Sequence, residues 1–555
     1  MNPQRVIPPP TGRPRSRPVL AAVLAAVVVA GLGVTGGPSY AGPALERSVL
    51  DPAAVAASID YLTTTFKVSR AEALRRLDLQ NDAQKLDGLL RRQQPGAYGG
   101  MWLDQDNGGV LVLQSTDSAA TDPYVRRLAD RRHVRTVHVA RSLATLTAAR
   151  DRLAKAVGAG PDAIYLPAID ETGNRVVLWD RTWVAEEKRD GTWDADSLSG
   201  KAWQTTLAGK APRPAAATSS RIEVASTASV AQRGAAVVAE TRVAADAVAA
   251  EGSLVVEQTL SRPHPMYTPY VDWGFCHPLY CSPGYGGMRG GLRLDVKRDN
   301  GSWGGCTSGF NVRSGGHIWN GWAWVITAGH CVVGKTNQTH IQHNGYDVLQ
   351  AHGVERNSYP YDYTVLPYVD GNVSTSWLES QANHNLVMTY CRNGGQDSDS
   401  ATPCGQQATS NNTPIRGTHS LDEITTGWIV CATGTGSSTV NYADAHPSGV
   451  PPDVERNAGY LVGTRCGKVT GKDVGINTDI CARDGDSGGP LFSQLDFTAY
   501  GILEGSLQSR SGSCYAGEQN NYSPIVTILD DINYGYQDLL RNFGTTMGVI
   551  LSSNG

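Results

Sequence analysis

The chain has 555 residues, including 62 glycines and 29 prolines, and a formal net charge of -4. That length exceeds one typical domain, and the near-neutral balance gives no electrostatic footing for nucleic acid or an anionic membrane. All ten cysteines lie between Cys276 and Cys514. An even set confined to one region points to a disulfide-bonded part, matured in an oxidising compartment and joined to a part built differently.

Arg5, Arg13, Arg15 and Arg17 precede an apolar stretch from Val19 to Val34, then Ser39-Tyr40-Ala41. A basic region, a short apolar core and small residues near a cut make residues 1–41 an expected secretory signal peptide. The core is short for a membrane span, so a secreted, extracellular chain is expected, with an uncleaved anchor as the alternative. Residues 42–210 read as an α+β domain. Pro52 suits a helix start, and Ser69 to Glu72 has capping-box spacing before a second helix. Tyr98 to Asp104 and Val110 to Leu113 read as a strand pair. A helix from Leu143 to Val157 and a second pair, Ile164 to Pro167 and Arg175 to Trp179, follow. The order predicts two similar halves. Residues 211–286, rich in Ala, Thr and Val at their start, read as a linker and activation region; the alternative makes Leu254-Val255-Val256 a strand of the N-terminal domain. From 287 to 555 short apolar runs alternate with Gly, Pro, Asn and Ser, which predicts an all-β barrel or sandwich.

Two segments of this last region carry chemistry. Trp324-Val325-Ile326-Thr327-Ala328-Gly329-His330-Cys331 brings a histidine to a turn after an apolar strand, and Gly485-Asp486-Ser487-Gly488-Gly489-Pro490 puts a serine among glycines. Amide hydrolysis needs a nucleophile, a base, a group to orient that base and donors for the oxyanion. Gly-x-Ser-x-Gly also fits an α/β-hydrolase elbow, but that fold needs its histidine after the serine, and none follows Ser487. His330 is therefore the candidate base. Asp362, opening the apolar run Tyr363-Thr364-Val365-Leu366, is the preferred orienting carboxylate, with Asp347 the alternative. His340, His343 and His352 lack a dense set of carboxylates, and no metal or other cofactor is expected.

These segments, with Cys306-Thr307-Ser308-Gly309-Phe310-Asn311, Cys466-Gly467-Lys468-Val469 and Tyr522-Ser523-Pro524-Ile525-Val526, resemble secreted bacterial chymotrypsin-fold serine peptidases of the streptogrisin and alpha-lytic protease branch. The resemblance spans roughly Gly287 to Leu540. It implies an all-β pair of six-stranded antiparallel barrels, chymotrypsin-like, preceded by an α+β prodomain. It also implies the catalytic set His330, Asp362 and Ser487, with the backbone N–H groups of Gly485 and Ser487 as oxyanion hole. The cysteines fit sequential pairing: Cys306–Cys331 and Cys481–Cys514 resemble disulfides of that family, Cys431–Cys466 resembles a third, and Cys276–Cys281 and Cys391–Cys404 are additional to it. Asp479, Arg483, Leu503, Glu504, Gly505 and Ser506 fall in the region expected to form the specificity pocket and the substrate-pairing strand. Asp479 suggests an acidic pocket base, but the Cys481-to-Ser487 spacing follows the bacterial branch and counts against that alignment, and Arg483 or Asp484 is readable as a surface loop charge. Glu504 departs from the small hydroxyl residue usual in that strand, which leaves an inactive, protease-like binding protein as the alternative function. Residues 50–180 resemble the prodomain of the same proteases, with removal expected between Gly200 and Gly290; a permanent substrate-binding module is the alternative. The expected partners are an extended peptide or protein substrate and the chain's own prodomain, the mature protein being a monomer.

Overall fold

The computed structural model describes residues 50–193, 229–266, 289–316, 323–336, 338–343, 346–351, 353–368, 385–388, 390–392, 401–403, 412–434, 463–508, 517–535 and 545–552. The expected signal peptide lies outside them. No helix among the described residues is long and apolar enough to cross a membrane.

The N-terminal region opens with α1 (Ala56–Phe66) and α2 (Arg70–Gln93). Ser69 caps α2 by accepting the Glu72 N–H. The Glu72 carboxylate turns instead to Arg75 and Arg76, so only half of the expected capping box forms. Next come β1 (Tyr98–Asp104), β2 (Val110–Ser115), α3 (Ser118–Val125) and β3 (Val134–His138). A second block repeats the plan with α4 (Leu143–Val157), β4 (Tyr165–Asp170), β5 (Arg175–Asp180), α5 (Thr182–Asp190), α6 (Val230–Glu251) and β6 (Val255–Thr259). In each block an antiparallel hairpin gains a third strand in parallel, β3 on β2 and β6 on β5. A parallel neighbour needs a crossover, and helices supply it. This corrects part of the expected linker at 211–286: residues 230–259 complete the second block. The Ala-rich run reads as loose because its helix buries little beyond Val237 and Ala244.

The rest of the described chain is mostly strand. After β7 (His264–Pro265) come β8 (Arg293–Lys297), β9 (Trp303–Thr307), β10 (Asn311–Gly316), β11 (Ala323–Thr327), β12 (His340–His343), β13 (Tyr346–Gln350), β14 (Val354–Arg356) and β15 (Tyr363–Pro367). Five short strands follow: β16 (Leu386–Met388), β17 (Tyr390–Arg392), β18 (Ala401–Pro403), β19 (Asn412–Pro414) and β20 (Gly417–Thr418). Then come β21 (Ile429–Gly434), β22 (Gly463–Lys472), β23 (Ile476–Thr478), β24 (Pro490–Phe492), β25 (Thr498–Ser506), β26 (Asn520–Pro524), the short helix α7 (Ile525–Asp530) and β27 (Thr545–Val549).

Six of these, β21-β22-β23-β26-β25-β24, close on themselves as an antiparallel barrel. β7 and β20 attach to its strand β25. The preceding half is a curled five-stranded sheet, β14-β15-β11-β10-β27, with a four-stranded sheet, β13-β12-β8-β9. The architecture is consistent with a chymotrypsin-like double barrel. It departs from two equal six-stranded barrels in its first half, where the strands divide between two sheets.

Both regions share their cores. Ile59, Leu62, Ala73 and Leu77 of α1 and α2 belong to one buried cluster with Phe310, Trp324, Ile326 and Phe492. Fully burying the isoleucine and the two leucines contributes about 1.5–3 kcal/mol each, so the N-terminal helices are integral to the packing. Polar contacts fix their register. Gln80, fully buried, donates to the Ile429 carbonyl and accepts the Ile429 N–H, at 3.0 and 2.7 Å. The guanidinium of Arg181 donates to the carbonyls of Pro161 and Tyr359. Burial lowers its pKa to about 10.

Candidate active site

The register of two neighbouring strands sets the site. β11 and β15 run antiparallel with Thr327 opposite Thr364. The chain leaving β11 therefore turns at Gly329–Cys331 beside the chain about to enter β15. This brings His330 against Asp362. The His330 N–H donates to Asp362 Oδ1 at 2.8 Å, and His330 Nδ1 lies 2.6 Å from Asp362 Oδ2. An ionised carboxylate only accepts, so Nδ1 carries the proton and Nε2 is left with its lone pair. That lone pair faces Ser487 Oγ at 2.7 Å. All three side chains are buried, with exposures of 2% for His330, 1% for Asp362 and 0% for Ser487. Asp347 lies elsewhere: it accepts from Gln342 and sits 3.3 Å from His340.

Ser487 sits on a turn tied from several sides. The Thr307 N–H donates to the Ser487 carbonyl, and Thr307 Oγ1 donates to that of Gly485, both at 2.8 Å. Asp486 accepts the Arg483 N–H through Oδ2 at 2.8 Å, bracing the loop from inside. Gly488 has φ +82°, and a Cβ there would lie 2.0 Å from Thr327 Oγ1. Only glycine fits a left-handed turn this close to β11. The disulfide Cys306–Cys331, with Cα atoms 6.3 Å apart, ties β9 to the histidine turn.

The N–H groups of Gly485 and Ser487 converge on one acceptor, the carbonyl oxygen of Met266, at 2.8 and 3.3 Å. The residues before it form β7, which pairs antiparallel with β25, Pro265 opposite Gly505 and His264 opposite Ser506. A Cβ on Gly505 would lie 2.2 Å from the His264 carbonyl oxygen, so the pairing depends on glycine. Sequence reasoning missed Met266. Only the proline-punctuated stretch Pro263-His264-Pro265, which disfavours helix, marks it as extended.

Other expected pocket residues are placed differently. Asp479 does not face a pocket: its carboxylate accepts from the Tyr61 hydroxyl and the Lys468 N–H, both at 2.7 Å, tying α1 to β22. Burial raises its pKa. Arg483 is not a surface charge. It is fully buried, with its guanidinium on both oxygens of Glu518 at 2.9 and 2.6 Å. A small pocket in the barrel wall is lined by Ala432, Arg465, Ile480, Ala482, Leu503 and Tyr522, among others. Glu504 sits where the β25–β26 register slips between Leu503 and Gly505. Such a bulge re-aims a side chain. Its carboxyl is buried, and Oε2 has no hydrogen-bond partner among the described residues. Burial, reinforced by the charge of Asp362, pushes its pKa well up.

Of the expected disulfides, Cys431–Cys466 also forms, as a cross-strand pair of β21 and β22. Cys481 is disulfide-bonded, but its expected partner Cys514 lies outside the described residues. So do Cys276, Cys281 and Cys404, and with them the pairing of Cys391.

No protein-family model matches the chain. Among solved structures it is similar to Thermobifida fusca Protease A, at 20% identity, covering 47% of this chain and 99% of that one, with a TM-score of 0.26. HL collagenase matches at 13% identity over 46% of this chain and 96% of its own, with a TM-score of 0.25. Catalytically inactive tobacco etch virus protease, complexed with substrate, matches at 14% identity over 47% and 87%, with a TM-score of 0.17. All three TM-scores are below 0.5, and the fold and the site stand on the geometry above.

Proposed function

We propose that the chain is the precursor of a secreted serine endopeptidase. It hydrolyses peptide bonds through Ser487, His330 and Asp362 by way of a covalent acyl-enzyme. The observation that carries this reading is the buried row Asp362–His330–Ser487, joined at 2.6 and 2.7 Å.

In this reading His330 Nε2 takes the Ser487 proton as Oγ attacks the substrate carbonyl, and then delivers it to the leaving amine. Asp362 holds the ring in the required tautomer and stabilises the transient imidazolium. The N–H groups of Gly485 and Ser487 receive the oxyanion, each such donor lowering the barrier by about 3 kcal/mol. An extended substrate adds a strand to β25 at Gly505 and Ser506, gripping by backbone hydrogen bonds. No cofactor is needed for this chemistry. The N-terminal α+β region acts as a prodomain that assists folding and blocks the site until it is removed, leaving a monomeric extracellular enzyme.

A second reading, an inert protease-like binding protein, draws on the buried Glu504 carboxyl beside the triad. A serine-directed fluorophosphonate on the secreted, fully processed protein separates the two. The endopeptidase is labelled at Ser487, labelling is lost in His330→Ala, and Asp362→Asn lowers kcat on peptides by about 10⁴. Absence of labelling after complete processing supports the inert fold.

A further inference from the structure

Residues 264–266 lie in the site as a substrate's acyl half would. His264 and Pro265 extend β25 as an added antiparallel strand, and the Met266 carbonyl oxygen accepts from both candidate oxyanion donors. A segment lying nearby for other reasons has no need to satisfy both conditions together. The strand pairing fixes direction and register, and the two N–H groups single out one carbonyl. Proline at 263 and 265 pre-sets an extended backbone at low entropic cost.

Met266 is fully buried. It belongs to the large apolar cluster of the molecule, which also holds Ala432, Ile480, Ala482, Leu503 and Tyr522 from the wall of the small pocket. The charged residues of that wall are already engaged. Arg465 donates to the Cys481 carbonyl and Asp486 accepts the Arg483 N–H. Asp479, the one acid suggested as a base for cationic side chains, is turned to Tyr61. A flexible, unbranched thioether suits such a slot, and an ammonium would enter it unpaired.

We infer that this protein cuts its own chain at the peptide bond following Met266, and that its site prefers a methionine-sized, unbranched apolar residue on the acyl side of the bond. The inference rests on the endopeptidase reading above and adds to it the bond and the side chain. Ser487 Oγ bonds to the Met266 carbonyl carbon and its proton passes to His330. The C–N bond to residue 267 breaks, and the departing nitrogen takes that proton as an amine. Water then hydrolyses the ester, leaving a Met266 carboxylate and a free Ser487 hydroxyl.

The test uses the full chain, secreted as wild type and as Ser487→Ala, with intact masses and terminal sequencing of all fragments over time. The wild type yields an N-terminal fragment ending at Met266 and a partner beginning at Tyr267, and Ser487→Ala yields neither. In parallel, the processed wild type is given the nine-residue peptide Ser-Arg-Pro-His-Pro-Met-Tyr-Thr-Pro, copied from residues 261–269. It cuts this after Met, and cuts the version with Lys in place of Met at least about tenfold more slowly. Fluorophosphonate labelling with no cut after Met266 in chain or peptide overturns the inference and leaves the endopeptidase standing. The same two fragments from Ser487→Ala overturn self-cleavage. Failure of both labelling and peptide hydrolysis removes the endopeptidase reading, and this inference with it.

Discussion

A carboxyl group without a hydrogen-bond partner among the described residues for one of its oxygens, buried where it feels the charge of Asp362, has a measurable consequence. Glu504 holds its proton more tightly when folded, because burial and the neighbouring Asp362 charge disfavour ionisation. Its folded pKa thus exceeds the ordinary 4.5. The stability linked to this group is fully present below 4.5 and is lost as pH rises through the folded value. Glu504→Gln keeps the shape and removes the titration. It is expected to flatten the decline of stability with pH above 4.5, measured as urea midpoints of the full chain across that range. An unchanged slope would show that Glu504 is already solvated or paired. The same residue illustrates how a local backbone event decides chemistry: the register slips at 503–505, the acidic side chain there is buried, and no reading of strand alternation reveals it.

Among the elements, α2 carries the most directed contact. Gln80 presents its amide to both backbone groups of Ile429 at the start of β21, as a strand neighbour would. Replacing it by Ala leaves a buried N–H and a buried C=O unpaired, at about 1–3 kcal/mol for each group. Gln80→Ala is therefore expected to destabilise the full chain by at least about 2 kcal/mol, read from its denaturant midpoint at unchanged slope. A loss below a few tenths would mean water replaces the amide. The hydrophobic pattern marks α2 as a helix and Ser69 as its cap. Which of its polar residues would be buried was not legible, because Gln80 looks like any solvated position until the barrel covers it.

For the molecule as a whole, the shared cores make the N-terminal region part of the structure it precedes. α1 packs on β22, where the Ser58 hydroxyl reaches the Cys431–Cys466 disulfide and Tyr61 reaches Asp479. The barrel strands pair across long sequence separations, a topology that folds slowly. In the proposed prodomain role, a preformed surface carrying α1 and α2 would lower that barrier. Ser487→Ala of the full chain, diluted from denaturant, is accordingly expected to regain native tryptophan fluorescence at least about tenfold faster than the same variant beginning at residue 289. Equal rates would rule out assistance.

Sequence alone determined the residues with distinctive local chemistry: a histidine after an apolar strand, a serine among glycines, and an aspartate at the head of another strand. It also marked the doubled plan of the N-terminal half, a succession of short-range patterns, while the family resemblance supplied the pairings Cys306–Cys331 and Cys431–Cys466. Tertiary structure alone decided that Asp479 serves the α1 contact and that Arg483 is buried on Glu518. It likewise decided that residues 230–259 complete a sheet and that Met266 lies under the two N–H groups of the serine turn. Each of these depends on which distant strand becomes a neighbour, and in what register. Hydrogen-bond ladders and barrel closure fix that choice only once the chain has folded.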